Sequence, residues 1–474
     1  GSAVSMACAL LRYTVMARIL GPEQLGLAAT LLLTTQFFDL LMESGSDRLM
    51  IQDPDGGSVE AQRLVQLVFV GRGLLTAAAL VLIAAPVSAA MGRGQLAAGF
   101  LLLALAPLVG GFLHLDMRRD QRSHDFRTEG WVMIASEIAS IIVTVACCLI
   151  FRNFTAAAAG LIARNAVQVL VSHLRAHRPY SLGLAHAFLP KLMRFAMPLM
   201  LNGLLLFAAG QGDRVMIGQR LGLAQLGAYS ATILLVFYPA TLIQRFLSGI
   251  ALPRIAGAQA DPVQQDRKIC DLMAMNATLA IAMAVGFSAV APIASRLLYG
   301  ESFHQADLTV ALIGSLQMTR FMRATPITTA LALGQSRIVL AGTICSLSGW
   351  PLALGGVVWI GGIDGLIAGF LVGETLALIA PLAMLGLSRL RQSAGNLAQF
   401  LCAILLIMAW HMPSAWLSPF ALVALGGLTL AATAWIARSQ AATVLALLAL
   451  LQDRMIEAGQ KLGVQPTLGR GAAK

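Results

Sequence analysis

The sequence has few charged residues for its length. Of its 474 residues only 12% are Asp, Glu, Lys or Arg, whereas 58% are hydrophobic, and the mean hydropathy is +0.78. A soluble domain carries about 25% charged residues, so the composition excludes a soluble globular fold. The hydrophobic residues form continuous blocks of roughly 18 to 27 residues, the length that spans a bilayer core. Because the blocks are continuous rather than alternating, they predict transmembrane helices and not a β-barrel.

The sequence also lacks the patterns that build metal, disulfide and nucleotide sites. Its cysteines all lie in or beside apolar blocks, without metal-ligand spacing, at Cys8, Cys147, Cys148, Cys270, Cys345 and Cys402. Glycine-rich stretches such as LGGVVWIGGIDG are not followed by the Gly-Lys-Ser/Thr of a phosphate-binding loop. We therefore expect no metal, no cofactor and no ATPase site, and a membrane transporter rather than an enzyme. We also expect no cleavable signal peptide.

The hydropathy pattern predicts an all-α polytopic membrane protein with fourteen transmembrane helices. We expect these spans near residues 3–20, 25–42, 64–91, 95–114, 130–151, 155–174, 195–217, 226–247, 269–298, 306–333, 336–360, 363–387, 397–411 and 418–437. The segment VLALLALLQDRMIEAGQKLG follows them. Its apolar and then amphipathic pattern predicts a helix that lies along the membrane surface.

Basic residues are concentrated in every second connection between spans. The fourth connection contains four arginines, and the sixth contains four basic residues with no acid between them. Because Lys and Arg mark the cytoplasmic side, we predict that the even-numbered connections and both termini are cytoplasmic. The formal charge of +11 is then a signal of topology, and nucleic acid is not an expected partner.

A short motif occurs twice in the chain. LGPEQLG begins at Leu20 and LGLAQLG at Leu221, so five of seven positions match at an offset of 201 (221 − 20). Each motif joins an odd-numbered span to the next one, and its glycines permit a tight turn. Two parallel repeats related by an axis along the membrane normal typically enclose a cavity. We predict an N-lobe (1–174), an inter-lobe connection (175–194), a C-lobe (195–388), two extra C-terminal spans (395–437) and a cytoplasmic tail (438–474).

Three segments resemble a known family. They are ARILGPEQLGL, GDRVMIGQRLGLAQLGAYSAT and VSHLRAHRPYSLGLAHAFLPKLMRFAMPLMLNGLLLF. Their order and spacing resemble the polysaccharide-transporter branch of the multidrug/oligosaccharidyl-lipid/polysaccharide exporter superfamily, the bacterial flippases of O-antigen and exopolysaccharide assembly. The resemblance covers about the first 390 residues. It implies that the protein moves an undecaprenyl-pyrophosphate-linked oligosaccharide from the inner to the outer leaflet by alternating access. It also implies membrane lipids, a polymerase and a chain-length regulator as partners.

Three alternatives stay open. LLRYTVMARILG is also similar to the first span of lipid II flippases, whose cavity arginine falls on Arg12, although Tyr13 stands where those proteins usually have an aspartate. A drug or cation antiporter of the same superfamily would usually need deep acidic residues at matched positions. A membrane glycan polymerase or ligase would typically need a large external loop, and the longest here is about YGESFHQAD.

Several arginines lie deep inside predicted spans. A charge in mid-span costs roughly 2.5–3.5 kcal/mol, and arginine presents a planar fork of donors that suits phosphate oxygens. We predict that these arginines bind the substrate pyrophosphate: Arg12, Arg72, Arg164, Arg320 and Arg323. The alternative is that each only pairs with a carboxylate or a helix carbonyl. Polar residues predicted to line the cavity wall for a sugar chain are Gln317, Asn202, Gln211, Asn165 and Gln168.

Acidic residues inside the spans are fewer. We predict that a coupling or gating role belongs to Glu374, Glu137, Asp39, Asp213 and Arg214, with a purely structural role as the alternative. Only Glu137 and Glu374 lie deep, so five central arginines against two deep acids predict a positive interior if all of them face inward. Asp213 and Arg214 lie near the outer end of their span, where they predict either a gate or a surface ion pair.

Overall fold

The fold is helical throughout the part of the chain that the computed structural model describes, residues 2–186, 188–258 and 261–412. This part contains sixteen α-helices and no β-strand. They are α1 (Ser2–Leu41), α2 (Ser46–Gln52), α3 (Val59–Ala90), α4 (Gln95–Leu103), α5 (Leu105–Gly110), α6 (Asp116–Arg122), α7 (Arg127–Phe151), α8 (Thr155–Leu174), α9 (Leu189–Arg220), α10 (Leu223–Ala256), α11 (Pro262–Tyr299), α12 (Asp307–Ala332), α13 (Ser336–Leu347), α14 (Gly349–Trp359), α15 (Gly362–Met384) and α16 (Leu387–Trp410).

These helices correspond to thirteen of the fourteen predicted spans. α1 contains the first two spans, α4 with α5 forms the fourth, and α13 with α14 forms the eleventh. Ten helices in the described ranges are long and apolar enough to cross a membrane. The predicted all-α polytopic fold is therefore confirmed. The fourteenth span (418–437) and the amphipathic tail lie outside the described residues.

The connections between helices gather at two ends of the bundle. We call one the basic end; it contains the connections at residues 42–58, 111–126, 175–186, 257–258 and 333–335. We call the other the elbow end; it contains Gly21 and the connections at 91–94, 152–154, 221–222, 300–306 and 360–361. Within each half, antiparallel neighbours pack closely, as α7 does against α8 and α14 against α15.

The repeated motif makes the same turn in both halves. Gly21 has φ 75° and ψ 174°, and Gly222 has φ 92° and ψ 172°. Glycine is favoured here because residues with a Cβ rarely adopt positive φ. The two glycines are separated by the offset of the motif, 201 residues (222 − 21). The repeat seen in the sequence is therefore a repeat of backbone conformation, and we call the two turns the elbows.

The two elbows pack directly against each other. A Cβ added at Gly26 would overlap the carbonyl oxygen of Leu223, and one added at Gly227 would overlap that of Pro22. The partners are related by the same offset, since 227 − 26 and 223 − 22 are both 201. The contact is thus reciprocal, as a pseudo-two-fold axis between the halves requires. It brings α1 and α10 into extensive contact.

At the basic end, the second half begins on the surface of the first. α9 starts at Leu189, ahead of the predicted start at 195. Its first turn joins a small apolar cluster with helices of the first half, in which Leu64 and Leu192 are buried. Lys191 Nζ donates to Asp55 Oδ2 at 2.7 Å, and this ion pair holds the pKa of Asp55 below its usual range.

The elbow contact can be tested by adding one methyl group. We expect Gly26→Ala to lower the thermal unfolding temperature in detergent, because overpacking costs about 1–3 kcal/mol. Gly71→Ala in α3 is the matched control, since a Cβ at Gly71 has no atom within 4 Å and alanine favours a helix. Equal or higher stability of Gly26→Ala than of Gly71→Ala would contradict the reciprocal contact.

Candidate functional site

In the N-lobe, one carboxylate lies between two arginines from different helices. Arg164 Nη2 of α8 lies 3.0 Å from Glu137 Oε1 of α7, and Arg12 Nη1 of α1 lies 3.5 Å from Glu137 Oε2. Arg12 also donates to Ser140 Oγ at 2.6 Å. The Glu137 side chain is 4% exposed, whereas those of Arg12 and Arg164 are 25% and 34% exposed. The carboxylate is thus buried behind two accessible cations, and we call these three residues the N-lobe cluster.

A polar cavity of about 240 Å³ adjoins this cluster. Arg164 lies on its wall, as do Arg72 and Asp39, whose side chains form an ion pair at 3.1 Å. Asn165 and Gln168 of α8 complete the polar wall. The cavity also touches residues 110–113, at the basic end. We call it the N-lobe cavity; it offers both charged donors and amide groups to a ligand.

The C-lobe holds a more buried network. Arg320 of α12 lies 3.1 Å from Asp213 Oδ2 of α9 and 3.0 Å from Glu374 Oε1 of α15. Arg323 Nη1 lies 3.1 Å from Glu374 Oε2. The Asp213 and Glu374 side chains are 0% and 1% exposed, and that of Arg320 is 15% exposed. We call these four residues the C-lobe network.

Hydroxyl groups complete the coordination of the two carboxylates. Tyr229 Oη donates to Asp213 Oδ2 at 2.6 Å, and Ser346 Oγ donates to Glu374 Oε1 at 3.0 Å. Hydrogen bonds to a charged acceptor are about twice as strong as neutral ones. Each carboxylate therefore contacts both a cation and a hydroxyl, which secures it in the interior.

The predicted arginines divide between the lobes. Every one of the five has a carboxylate partner, and the acids that contact them number four: Glu137, Asp39, Asp213 and Glu374. These nine residues therefore carry one net positive charge (5 − 4), which is smaller than the five arginines against two deep acids in the sequence indicated. The sequence placed Asp39 and Asp213 near span ends, but their carboxylates reach arginines of neighbouring helices.

Asp213 and Arg214 do not pair with each other through their side chains. Asp213 is fully buried, so the surface ion-pair alternative is wrong. The Arg214 guanidinium instead donates to Gln211 Oε1 at 3.0 Å. Gln317 is 6% exposed inside α12, and Asn202 is half-buried in α9.

Sequence reasoning missed the hydroxyl partners. Ser140, Ser346 and Tyr229 stand in apolar helices, where a small or hydroxyl residue often faces a neighbouring helix. Isolated hydroxyls within long apolar helices are the signal that could have identified these residues.

Comparisons with known proteins found a matching family model and two similar sequences. A model of the family described as "Polysaccharide biosynthesis protein" matches residues 15–307. The chain is 25% identical over 307 residues to the succinoglycan biosynthesis transport protein ExoT of Rhizobium meliloti (strain 1021), covering 63% of this chain and 60% of ExoT. It is 28% identical over 116 residues to the amylovoran biosynthesis protein AmsL of Erwinia amylovora, covering 24% of this chain and 29% of AmsL. The chain thus spans less than two thirds of either relative.

Two solved structures share the fold. The lipid II flippase MurJ in an inward closed conformation has a TM-score of 0.67 at 12% identity, covering 92% of this chain and 97% of MurJ. An inward-facing MATE family transporter of the MOP superfamily has a TM-score of 0.63 at 15% identity, covering 83% and 96%. At these identities the likeness concerns the fold alone, and it confirms the arrangement of two pseudo-symmetric lobes.

The C-lobe network makes a stability prediction. We expect Glu374→Ala to destabilise the protein strongly, because removing one partner of a buried ion pair costs about 3–5 kcal/mol. The matched control is Glu43→Ala, which breaks the pair with Arg48, whose side chains are 36% and 60% exposed; an exposed pair contributes about 0–1 kcal/mol. Thermal unfolding in detergent measures both, and similar decreases for the two variants would contradict a buried network.

Proposed function

The chain belongs to the polysaccharide biosynthesis protein family, and from this premise we propose that it is a flippase for a lipid-linked oligosaccharide. The substrate is an oligosaccharide joined to undecaprenyl pyrophosphate. The protein moves it from the inner to the outer leaflet of the bacterial cytoplasmic membrane, where exopolysaccharide or O-antigen is assembled. The multi-pass fold and the transport and biosynthesis descriptions of the relatives support this function.

The observation that carries the proposal is the charge of the N-lobe cluster. Two arginines against one glutamate leave one net positive charge (2 − 1), and both guanidiniums are partly exposed. Arginine binds phosphate oxygens through paired, charge-assisted hydrogen bonds. We therefore assign the pyrophosphate to Arg12 and Arg164, with Arg72 beside them.

The remaining predicted residues are assigned to stabilising the C-lobe or to binding the sugars. The C-lobe network is neutral, with Arg320 and Arg323 against Asp213 and Glu374 (2 − 2). Its arginines are committed to carboxylates, so we assign them to holding the C-lobe together. Asn165 and Gln168, on the wall of the N-lobe cavity, offer amide groups to the sugars.

Movement follows from the two-lobed arrangement. Lobes related by pseudo-symmetry expose a site to alternate sides by rocking against each other. The elbows are packed together at one end, whereas the N-lobe cavity reaches residues 110–113 at the other. If the basic end is cytoplasmic, as the charge pattern predicts, the substrate enters from the cytoplasmic leaflet.

The competing functions have less support. A cation antiporter needs an acidic residue that is free to bind a cation or a proton. Glu137, Glu374, Asp39 and Asp213, the acids predicted for coupling, each contact an arginine in the described structure, which favours an anionic substrate. A polymerase or ligase needs a large external domain, and the longest described connection at the elbow end is 300–306.

Substitution of the N-lobe arginines tests the function. We expect Arg12→Ala and Arg164→Ala each to abolish transfer of lipid-linked oligosaccharide into the outer leaflet, since each removes half of the phosphate site. The assay measures the oligosaccharide accessible from outside in vesicles that contain the purified protein. Arg296→Ala is the control, because Arg296 is exposed at the elbow end and pairs only with Glu301 and His304 there. Full transfer by both N-lobe variants would refute the assignment.

Orientation is tested by labelling two exposed serines after the native cysteines have been replaced. Ser123 lies at the basic end and Ser302 at the elbow end, and both are exposed. In spheroplasts, we expect a membrane-impermeant maleimide to modify Ser302→Cys but not Ser123→Cys, because basic connections stay cytoplasmic. Permeabilised cells provide the control, in which both should react. The reverse labelling pattern would overturn the predicted orientation.

A further inference from the structure

An elongated cleft of about 810 Å³ lies between the lobes at the elbow end. α1, α3, α9 and α10 form its walls, and most of the side chains that face it are apolar, such as Leu33, Val87 and Val215. Its volume is within the range of about 300–1,000 Å³ that ligand sites occupy. All four helices are long and apolar enough to cross a membrane. We call this space the inter-lobe cleft.

The cleft is long and narrow. Along α9 it extends from Phe207 to Gln219, which is about 18 Å for twelve residues at 1.5 Å each. The rings of Phe37 and Phe207 meet edge-to-face, with centroids 5.1 Å apart, at the limit nearer the basic end. α3 makes no extensive contact with α9 or α10 in the described structure. The cleft is therefore an apolar gap between the lobes that has room for hydrocarbon.

On the opposite side of the elbows, the corresponding seam between the lobes is closed. Arg18 of α1 donates from Nε to the carbonyl oxygen of Leu298 at 2.8 Å and from Nη2 to that of Leu297. These carbonyls belong to the last turn of α11, where a cation also neutralises the negative end of the helix dipole. One side chain thus links span 1 to span 9.

The pseudo-symmetry identifies the residues that would close the cleft in the same way. The offset of 201 puts Gln219 in the position of Arg18 (18 + 201). Ala89 is the equivalent of Leu298, because Ala89 is the second-last residue of α3 and Leu298 is the second-last residue of α11. Gln219 faces the cleft and makes no hydrogen bond to α3 within the described residues. The hydrogen bonds that Arg18 donates across the closed seam therefore have no counterpart here, and the inter-lobe cleft lies at this position.

The cleft contains an arginine whose side chain forms no ion pair with the described residues. Arg214 lines the cleft and also a cavity of about 60 Å³ that it shares with Tyr13. Its guanidinium donates to Gln211 and has no carboxylate oxygen within 4.0 Å among the described residues. Arg93, at the mouth of the cleft, is already paired with Glu23 at 2.7 Å. An unpaired guanidinium inside a membrane is costly, and an anionic ligand would supply its partner.

We propose that the inter-lobe cleft seats the polyprenyl chain of the lipid-linked substrate, and that Arg214 meets a phosphate of the same molecule. The inference rests on the proposed function, which makes the substrate a polyprenyl diphosphate. An apolar cleft beside an arginine suits a hydrocarbon chain joined to a phosphate, and the proposed substrate is such a molecule. The open seam lets the chain stay in contact with lipid while the head group is held between the lobes.

The test uses a photoreactive residue at two neighbouring positions. p-Benzoylphenylalanine is introduced either at Ile83, which lines the cleft, or at Leu82, which is 76% exposed and outside it. The full chain is placed in nanodiscs of phosphatidylethanolamine and phosphatidylglycerol that contain a small fraction of undecaprenyl diphosphate. After irradiation, mass spectrometry gives the ratio of undecaprenyl to phospholipid adducts. We expect this ratio to be about tenfold higher at Ile83 than at Leu82.

The matched variant Arg214→Gln examines the phosphate contact. We expect it to reduce the undecaprenyl diphosphate adducts at Ile83 but to leave those of uncharged undecaprenol unchanged, because only the diphosphate needs the cation. Equal ratios at Ile83 and Leu82, or phospholipid adducts alone at Ile83, would overturn the seat. Unchanged diphosphate adducts in Arg214→Gln would overturn the role of Arg214.

Transfer of lipid-linked oligosaccharide is measured with the unsubstituted protein from the same purification. If transfer fails while undecaprenyl adducts are still enriched at position 83, the proposed function is wrong and the proposed binding of the polyprenyl chain in the cleft stands. If transfer proceeds without enrichment at Ile83, the seat is wrong and the proposed function remains.

Discussion

The structure depends on one constraint: a charge inside a bilayer needs a partner of opposite sign. Glu137 and Glu374 meet it in the same way, each with two arginine guanidiniums close to its oxygens. The partners come from helices that are distant in the chain, α1, α7 and α8 in the N-lobe and α12 and α15 in the C-lobe. Because lipid supplies no hydrophobic drive between helices, such polar contacts and close packing determine which helices associate. The same side chains therefore hold the lobes together and supply the charge at their centre.

The two lobes keep one backbone pattern but reverse its charge. Arg12 and Asp213 are 201 residues apart (213 − 12), so they occupy equivalent positions in spans 1 and 7. In the N-lobe this position adds to a cluster with one net positive charge and accessible guanidiniums. In the C-lobe it closes a neutral network with buried carboxylates. The reversal leaves accessible guanidiniums in the N-lobe cluster, whereas the arginines of the C-lobe network are paired with buried carboxylates.

The sequence was sufficient for the spans and the repeat but not for the contacts between deep residues. Hydropathy depends only on the local sequence, so thirteen spans could be predicted. The elbows require a residue with positive φ, and the glycines that provide it, Gly21 and Gly222, can be read directly from the sequence, so the pseudo-symmetry could be predicted as well. Which carboxylate meets which arginine depends on how each helix is rotated about its axis, and helix rotation is set by packing across the whole lobe. Asp213 illustrates the limit, because its distance from the end of a span indicated water although Arg320 and Tyr229 enclose it. The position of the cleft could not be predicted for the same reason, because it depends on which helices do not contact each other.

A flippase must carry a polar head group through about 30 Å of hydrocarbon while the attached chain stays in lipid. The elbow contact suits the first requirement, since Gly26 and Gly227 meet backbone atoms and the lobes can turn there without breaking a side-chain bond. The difference between the seams suits the second. Arg18 donates hydrogen bonds across the seam between the lobes on one side, whereas Gln219 makes none to α3 within the described residues. On the proposed function, the hydrocarbon chain would pass through this second seam beside Arg214, so that the head group stays between the lobes while the chain stays in lipid.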